Sequence, residues 1–367
     1  MSKKNAERNN PLLKKLDKWI GCPLVFTLGL LHKENIKPKN YQRIAVIKTA
    51  AVGDTIILSA MLDEIRYSYP HAQVTVICSK NNSAMVKALP YIGKVEVFAM
   101  KNPLQSLKRV RSLGHFDLVL DFGPWPRINA IISWVVNADY KVGFRRKDTY
   151  RHYIYDAKVE HSDRLHEIEN YRNILRGAGI AVKGLLPDLH TDKRILKNSY
   201  IIFHVFPGGA MDLQRRWDNE KWIKLAKTLY KRYKTTILLS GGKTDWEEAQ
   251  ELCEQMKKQE ITVKNIAGQY SLQDIAGIIQ YAKLVVSVNT GIMHYAAAVG
   301  VPLVALHGPT SEVRWGPLSK KAVVVKSDEP CQPCISLGFE SKCTKPVCMK
   351  NITNEMVMNA VSKVLEA

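Results

Sequence analysis

Several of the residues best suited to chemistry in this chain sit where apolar runs break at glycine. Gly53-Asp54 follows the run at residues 44–48 and precedes a helix-like pattern. A carboxylate at a strand end can accept a proton from an incoming hydroxyl, or merely cap the helix that follows. Asn289-Thr290-Gly291 follows the run at 284–288 and opens a small-residue helix with His294 about one turn in. N–H groups at a helix start suit an anion, and Thr290 can either cap the helix or offer a hydroxyl.

Two more strand ends carry glycines, Pro207-Gly208-Gly209 and Gly241-Gly242. Glycine lets the backbone approach a ligand closely. Arg215 lies just beyond the first pair, and a guanidinium can fork two phosphate oxygens. Asp245 lies beyond the second, placed to meet ribose hydroxyls or to cap its own helix. Together the three glycine-bearing ends should meet at one sheet edge and bind a nucleotide diphosphate. No Asp-x-Asp pair is present to carry a divalent ion, so cationic side chains are the expected neutralising groups.

In the first half, Arg127, Arg145, Arg146 and Lys147 follow the Asp121–Gly123 strand end and could greet an anionic acceptor, or could simply be solvated. Near the C-terminus, Cys331, Cys334, Cys343 and Cys348 are spaced C-x2-C-x8-C-x4-C. Four thiolates so spaced could hold a structural zinc or an iron–sulfur cluster. They could equally be unligated thiols, or disulfides if oxidised.

Positioning these groups needs a regular frame. The 367 residues, 46% of them hydrophobic, suit two domains with sizeable cores. Strand-like and helix-like segments alternate in both halves, which argues for two doubly wound parallel sheets facing one cleft. The expected divisions are a basic and apolar segment over 1–40, an acceptor domain over 41–185, a nucleotide-binding domain over 199–350 and a closing helix over 351–367.

The net charge of +20 is spread along the chain and favours anionic partners, with no nucleic-acid-binding signature beside it. The first 40 residues hold nine Lys or Arg against three acidic residues, around an apolar run of 13 at 19–31. That run is too short to span a bilayer, and Gly21, Pro23 and Gly29 weaken it as a helix. An interfacial segment on an anionic membrane is one reading, a strand of chain packed on the first domain the other.

In order and spacing these motifs resemble glycosyltransferase family 9, the heptosyltransferases of lipopolysaccharide core assembly. The resemblance runs from Arg43 to Pro317 and adds Gly308-Pro309-Thr310 and Arg314-Trp315-Gly316-Pro317 to the segments above. It implies a GT-B fold and inverting transfer from a nucleotide-activated heptose, usually ADP-heptose, with no catalytic cofactor or metal. Asp54 matches the family's base. Gly53 and Arg127 fall on the acceptor side. Gly208, Gly209, Arg215, Gly241, Asp245, Asn289, Thr290, Gly291 and His294 fall on the donor side. Arg215 stands where a Lys is usual, and Asn289 where an Asp is usual. The implied setting is the cytoplasmic face of the inner membrane, with an anionic glycolipid acceptor. The rivals are a GT-B enzyme using another nucleotide sugar, a non-catalytic nucleotide-sugar or glycolipid binder, and a metal-binding interaction module built on the cysteines.

Overall fold

The computed structural model describes residues 15, 17–147, 149–209, 211–336 and 343–366. They divide into two compact units that meet in sequence at Pro187 and Asp188. Lys14 and part of the loop between Cys334 and Cys343 lie outside the described residues.

The first unit holds a six-stranded sheet. Its strands are β1 (Arg43–Lys48), β2 (Gln73–Ser79), β3 (Lys94–Phe98), β4 (His115–Asp121), β5 (Asn137–Arg145) and β6 (Ala157–Glu160), in the order β3-β2-β1-β4-β5-β6. Every pairing is parallel. β1 reads RIAVIK and is buried in all but its first residue, the near-continuous apolar pattern that a sheet covered on both faces demands. The second unit repeats the plan with β7 (Tyr200–His204), β8 (Thr236–Ser240), β9 (Val263–Asn265), β10 (Leu284–Val288), β11 (Leu303–Leu306) and β12 (Ala322–Val325). Their order is β12-β11-β10-β7-β8-β9, again wholly parallel.

Each sheet reverses its winding once. In the first the reversal falls between β1 and β4, where Ile47 faces Asp121. In the second it falls between β7 and β10, where His204 faces Ser287. At such switch points the following loops diverge to opposite faces and leave a crevice at the C-terminal edge. Gly53-Asp54 follows β1, and Gly208-Gly209 and Asn289–Gly291 follow β7 and β10.

Four elements differ from the sequence expectation. The helix after β1 spans Val52–Ser68, with Ala51 at its N-cap, so Asp54 sits in the first turn and is not the cap. β6 and β9 are short and partly polar, and their sequences carry too little periodicity to be read alone. Gly21–Leu30 is a full helix despite its breakers. Pro23 lies in the first turn, where its missing N–H is not needed. Gly21 and Gly29 face inward: an added Cβ would stand 3.1 Å from Arg127 Cδ and 2.4 Å from Tyr153 Cβ.

Candidate active site

At the β1/β4 switch point a buried lysine organises the turn. Lys48 Nζ lies 2.8 Å from Asp54 Oδ1 and donates to the Phe122 carbonyl at 3.0 Å and to the Tyr171 hydroxyl. Tyr171 OH donates to the same Asp54 oxygen at 3.3 Å. The Asp54 side chain keeps 18% of its surface exposed, whereas that of Lys48 keeps 2%. The carboxylate is therefore fixed from behind and open in front. The backbone beneath is braced by Asn82, whose amide donates to the Lys48 carbonyl at 2.9 Å and to Thr55 Oγ1 at 3.0 Å.

Behind this turn lies a second buried network. Asp121 accepts from Gly123 N at 2.8 Å, Tyr155 OH at 2.6 Å, Asn129 Nδ2 at 3.2 Å and the Arg151 guanidinium. Asn129 Oδ1 accepts from Thr49 at 2.7 Å, which links the network to the turn before Asp54. Gly123 is required here, because a Cβ would stand 2.2 Å from Asn129 Nδ2.

In the second unit the three glycine-bearing ends do share one edge, since β8, β7 and β10 are adjacent and parallel. Arg215 ties two of them together. Its Nη1 donates to the Asn289 carbonyl at 3.2 Å and its Nη2 to the Gly208 carbonyl. At Gly208 an added Cβ would meet nothing within 4 Å, so the space above it is open. Gly209 has φ +87°, a left-handed conformation that suits glycine. Gly241 is packed instead: a Cβ would come within 2.9 Å of Asp245 Cβ and 3.0 Å of Phe206. Asp245 accepts from Gly242 N at 2.8 Å and so holds its own turn. Thr290 occupies the N-cap of the Gly291–Ala298 helix with no side-chain capping bond, and His294 is buried in that helix.

Two buried histidines line these strand ends. His204 Nδ1 is 2.8 Å from Ser240 Oγ. His307 Nδ1 is 3.2 Å from the Asn289 amide nitrogen. Burial holds both imidazoles neutral, with pKa values lowered to about 4. The Asn289 amide can donate to whichever ring nitrogen of the neutral imidazole carries no proton.

The basic groups expected to meet an acceptor are mostly engaged. Arg127 is buried, its guanidinium 2.6 Å from Asp17. Arg146 is chelated by Asp163 at 3.0 and 2.7 Å, and exposed Arg145 pairs with Glu160 at 3.2 Å. Lys147 is exposed. Among the described residues, the one group of three candidate metal ligands within 4.8 Å of one another is His115, Asp117 and Asp139, at the opposite edge of the first sheet. The four cysteines form no such group, yet they are neighbours. Burial pushes the Cys348 thiol up to about 11, and Cys334, Cys331 and Cys343 each add to the rise.

Against known proteins, the model of glycosyltransferase family 9 (heptosyltransferase) matches residues 106–344, well over half the chain. The chain belongs to glycosyltransferase family 9. Among curated relatives, lipooligosaccharide heptosyltransferase 2 of Campylobacter jejuni is 24% identical over 323 residues, covering 86% of this chain and 96% of that protein. The solved structure of the E. coli ADP-heptose lps heptosyltransferase II has 21% identity and a TM-score of 0.71, covering 88% of this chain and 98% of that one. The iron-containing dodecameric glycosyltransferase TibC of enterotoxigenic E. coli has 14% identity and a TM-score of 0.56, covering 92% and 79%. The two parallel-sheet units are thus the GT-B fold, and this family 9 member is a glycosyltransferase of the heptosyltransferase group.

Sequence reasoning missed Lys48 as a partner of Asp54, and also Tyr171, Asn129, His204 and His307. Lys48 alone carried a signal, as a lysine ending an otherwise apolar buried strand.

The neutral histidines give the enzyme an acid-side weakness. Between pH 6.5 and about 4 the unfolded chain binds protons that folded His204 and His307 refuse. Their contribution is complete above pH 6.5 and is lost as pH falls to about 4. It amounts to about 3 kcal/mol for each histidine at full loss. Urea denaturation of wild type and His204→Gln across that window checks this: the variant should lose stability less steeply, and parallel slopes would refute it.

Proposed function

We propose that this glycosyltransferase transfers a heptose from ADP-heptose, with inversion, to a lipopolysaccharide core or related glycolipid. The acceptor hydroxyl gives its proton to Asp54 as its oxygen bonds to the anomeric carbon. The bond from that carbon to the diphosphate breaks on the opposite face, and ADP leaves. Lys48 and Tyr171 keep the carboxylate turned toward the opening. Arg215, Thr290 and the start of the Gly291–Ala298 helix meet the charge that develops on the diphosphate. Gly208 and Gly209 leave room for it, and Gly241 and Asp245 shape the neighbouring turn. The observation that carries this reading is the Arg215 clamp across Gly208 and Asn289 at the β7/β10 switch point of a family 9 chain. The reaction needs no cofactor.

Asn289, standing where an Asp is usual in the family, opens one variation, a donor sugar other than heptose. One experiment covers both readings. The purified protein is given ADP-heptose, UDP-sugars or GDP-sugars with truncated lipopolysaccharide acceptors, and the products are weighed by mass spectrometry. A heptose increment from ADP-heptose alone is expected. An increment only from another donor would move the assignment to that sugar. Donor binding without any increment would leave a binding protein.

The site of action follows from the acceptor, at the cytoplasmic face of the inner membrane. The described residues contain no helix long and apolar enough to cross a membrane, so contact there would be peripheral.

A second proposal concerns the four cysteines, neighbours that form no ligand group within 4.8 Å as they stand: a structural zinc or iron in support of the donor loop. Cys334 N donates to the Pro309 carbonyl at 2.9 Å, and Gln214 Nε2 donates to the Cys343 carbonyl at 3.0 Å. Both contacts flank Arg215 and Gly308-Pro309-Thr310, and TibC is a distant relative described as containing iron. Elemental analysis should find about one zinc or iron per chain, lost in Cys331→Ser/Cys334→Ser; a metal-free, fully folded wild type would remove the assignment.

A further inference from the structure

The Gly21–Leu30 helix has two unlike faces. Gly21, Val25 and Leu28 turn inward, and Val25 is fully buried with Ala130, Ile154 and Tyr155. The two glycines bring this face close to Arg127 and Tyr153. Outward, the rows Trp19, Pro23, Phe26, Leu30 and Ile20, Leu24, Thr27, Leu31 follow helical spacing of three and four. Trp19, Leu30 and Leu31 are 73%, 71% and 72% exposed, and Ile20, Leu24, Phe26 and Ile36 are exposed as well. Phe26 stacks edge-on against the half-exposed Tyr153 at 5.7 Å, which widens the patch.

A soluble surface rarely keeps so many large apolar side chains together without a partner. The rim of this patch identifies the partner. Lys15, Lys18 and Lys33 flank the apolar run in sequence and are all exposed. The helix has 10 residues, about 15 Å at the α-helical rise, half the ~30 Å of a bilayer core. It is too short to cross and suited to lying in the interface.

We infer that this face docks the enzyme on an anionic lipid bilayer, with Trp19, Leu24, Phe26, Leu30 and Leu31 entering the acyl boundary and the lysines meeting lipid phosphates. The inference deepens the membrane-facing part of the proposed function and is independent of the donor. Lying-in helices of this kind gain from both apolar burial and surface charge. An enzyme held this way meets a lipid-borne acceptor in two dimensions.

The test is flotation of the full-length protein with vesicles of phosphatidylethanolamine and phosphatidylglycerol, and with vesicles of phosphatidylcholine alone. Wild type should float with the anionic vesicles and bind the neutral ones about tenfold less. Trp19→Ser/Leu30→Ser/Leu31→Ser should reduce anionic binding by about tenfold or more, and Lys15→Glu/Lys18→Glu should reduce it in low salt. These side chains are exposed, so transfer to a delipidated, water-soluble core oligosaccharide should be unchanged in both variants. Flotation without transfer in any protein would uphold the docking face and remove the proposed reaction. Transfer by a wild type that does not float, or equal flotation of wild type and the serine variant, would overturn the docking face. So would a wild-type dimer that the serine variant dissolves, which would show the patch to be covered by a second copy.

Discussion

Parallel pairing is the constraint on which everything else rests. It sends the C-terminal ends of all six strands in a sheet to one edge, and the single reversal of winding opens a crevice there. This chain does so twice, at β1/β4 and at β7/β10. The residues that matter are then the few that follow those strands. Asp54 lies six residues after Lys48, and Gly208 four after His204. No long loop is needed to carry chemistry to the site, because the sheet already delivers it.

The cost of this economy is buried charge. Lys48 is 1% exposed and Asp121 and Arg151 are fully buried. Taking such groups out of water is expensive, and an ion pair seldom recovers more than the loss. What these pairs supply is position. Lys48 bonds a carboxylate, a carbonyl and a phenol from three separate elements, so Asp54 cannot turn away without leaving an ammonium unpaired. Asp121, Arg151 and Tyr155 do the same for the strand end beside it. In the second unit Arg215 bridges two loops by donating to the backbone carbonyls of Asn289 and Gly208.

Much of the frame was legible in the sequence because it is local. Apolar runs such as 44–48 and 284–288 declare themselves as buried strands, and glycines at their ends declare the turns. The partners of those turns were not legible. Tyr171 is 123 residues from Lys48, and His307 is 18 from Asn289 across a strand pairing. Nothing in the local pattern at Tyr171 distinguishes it from an ordinary core aromatic. Arg127 shows what a local reading leaves out: a basic residue after a strand end suggests an acceptor contact, and the structure adds that the Gly21–Leu30 helix packs against it and that Asp17 accepts from its guanidinium. Propensity alone weakens the same segment as a helix, yet its glycines serve close packing and its proline sits in the first turn.

The central claim is that Asp54 acts as the base and does not hold the donor. The most direct measurement compares single-turnover heptose transfer and ADP-heptose affinity in wild type and Asp54→Asn. Asparagine keeps the shape and loses the proton acceptor, so transfer should fall about a thousandfold while the dissociation constant stays within about threefold. A variant that transfers heptose at the wild-type rate, or one that fails to bind the donor, would contradict the account.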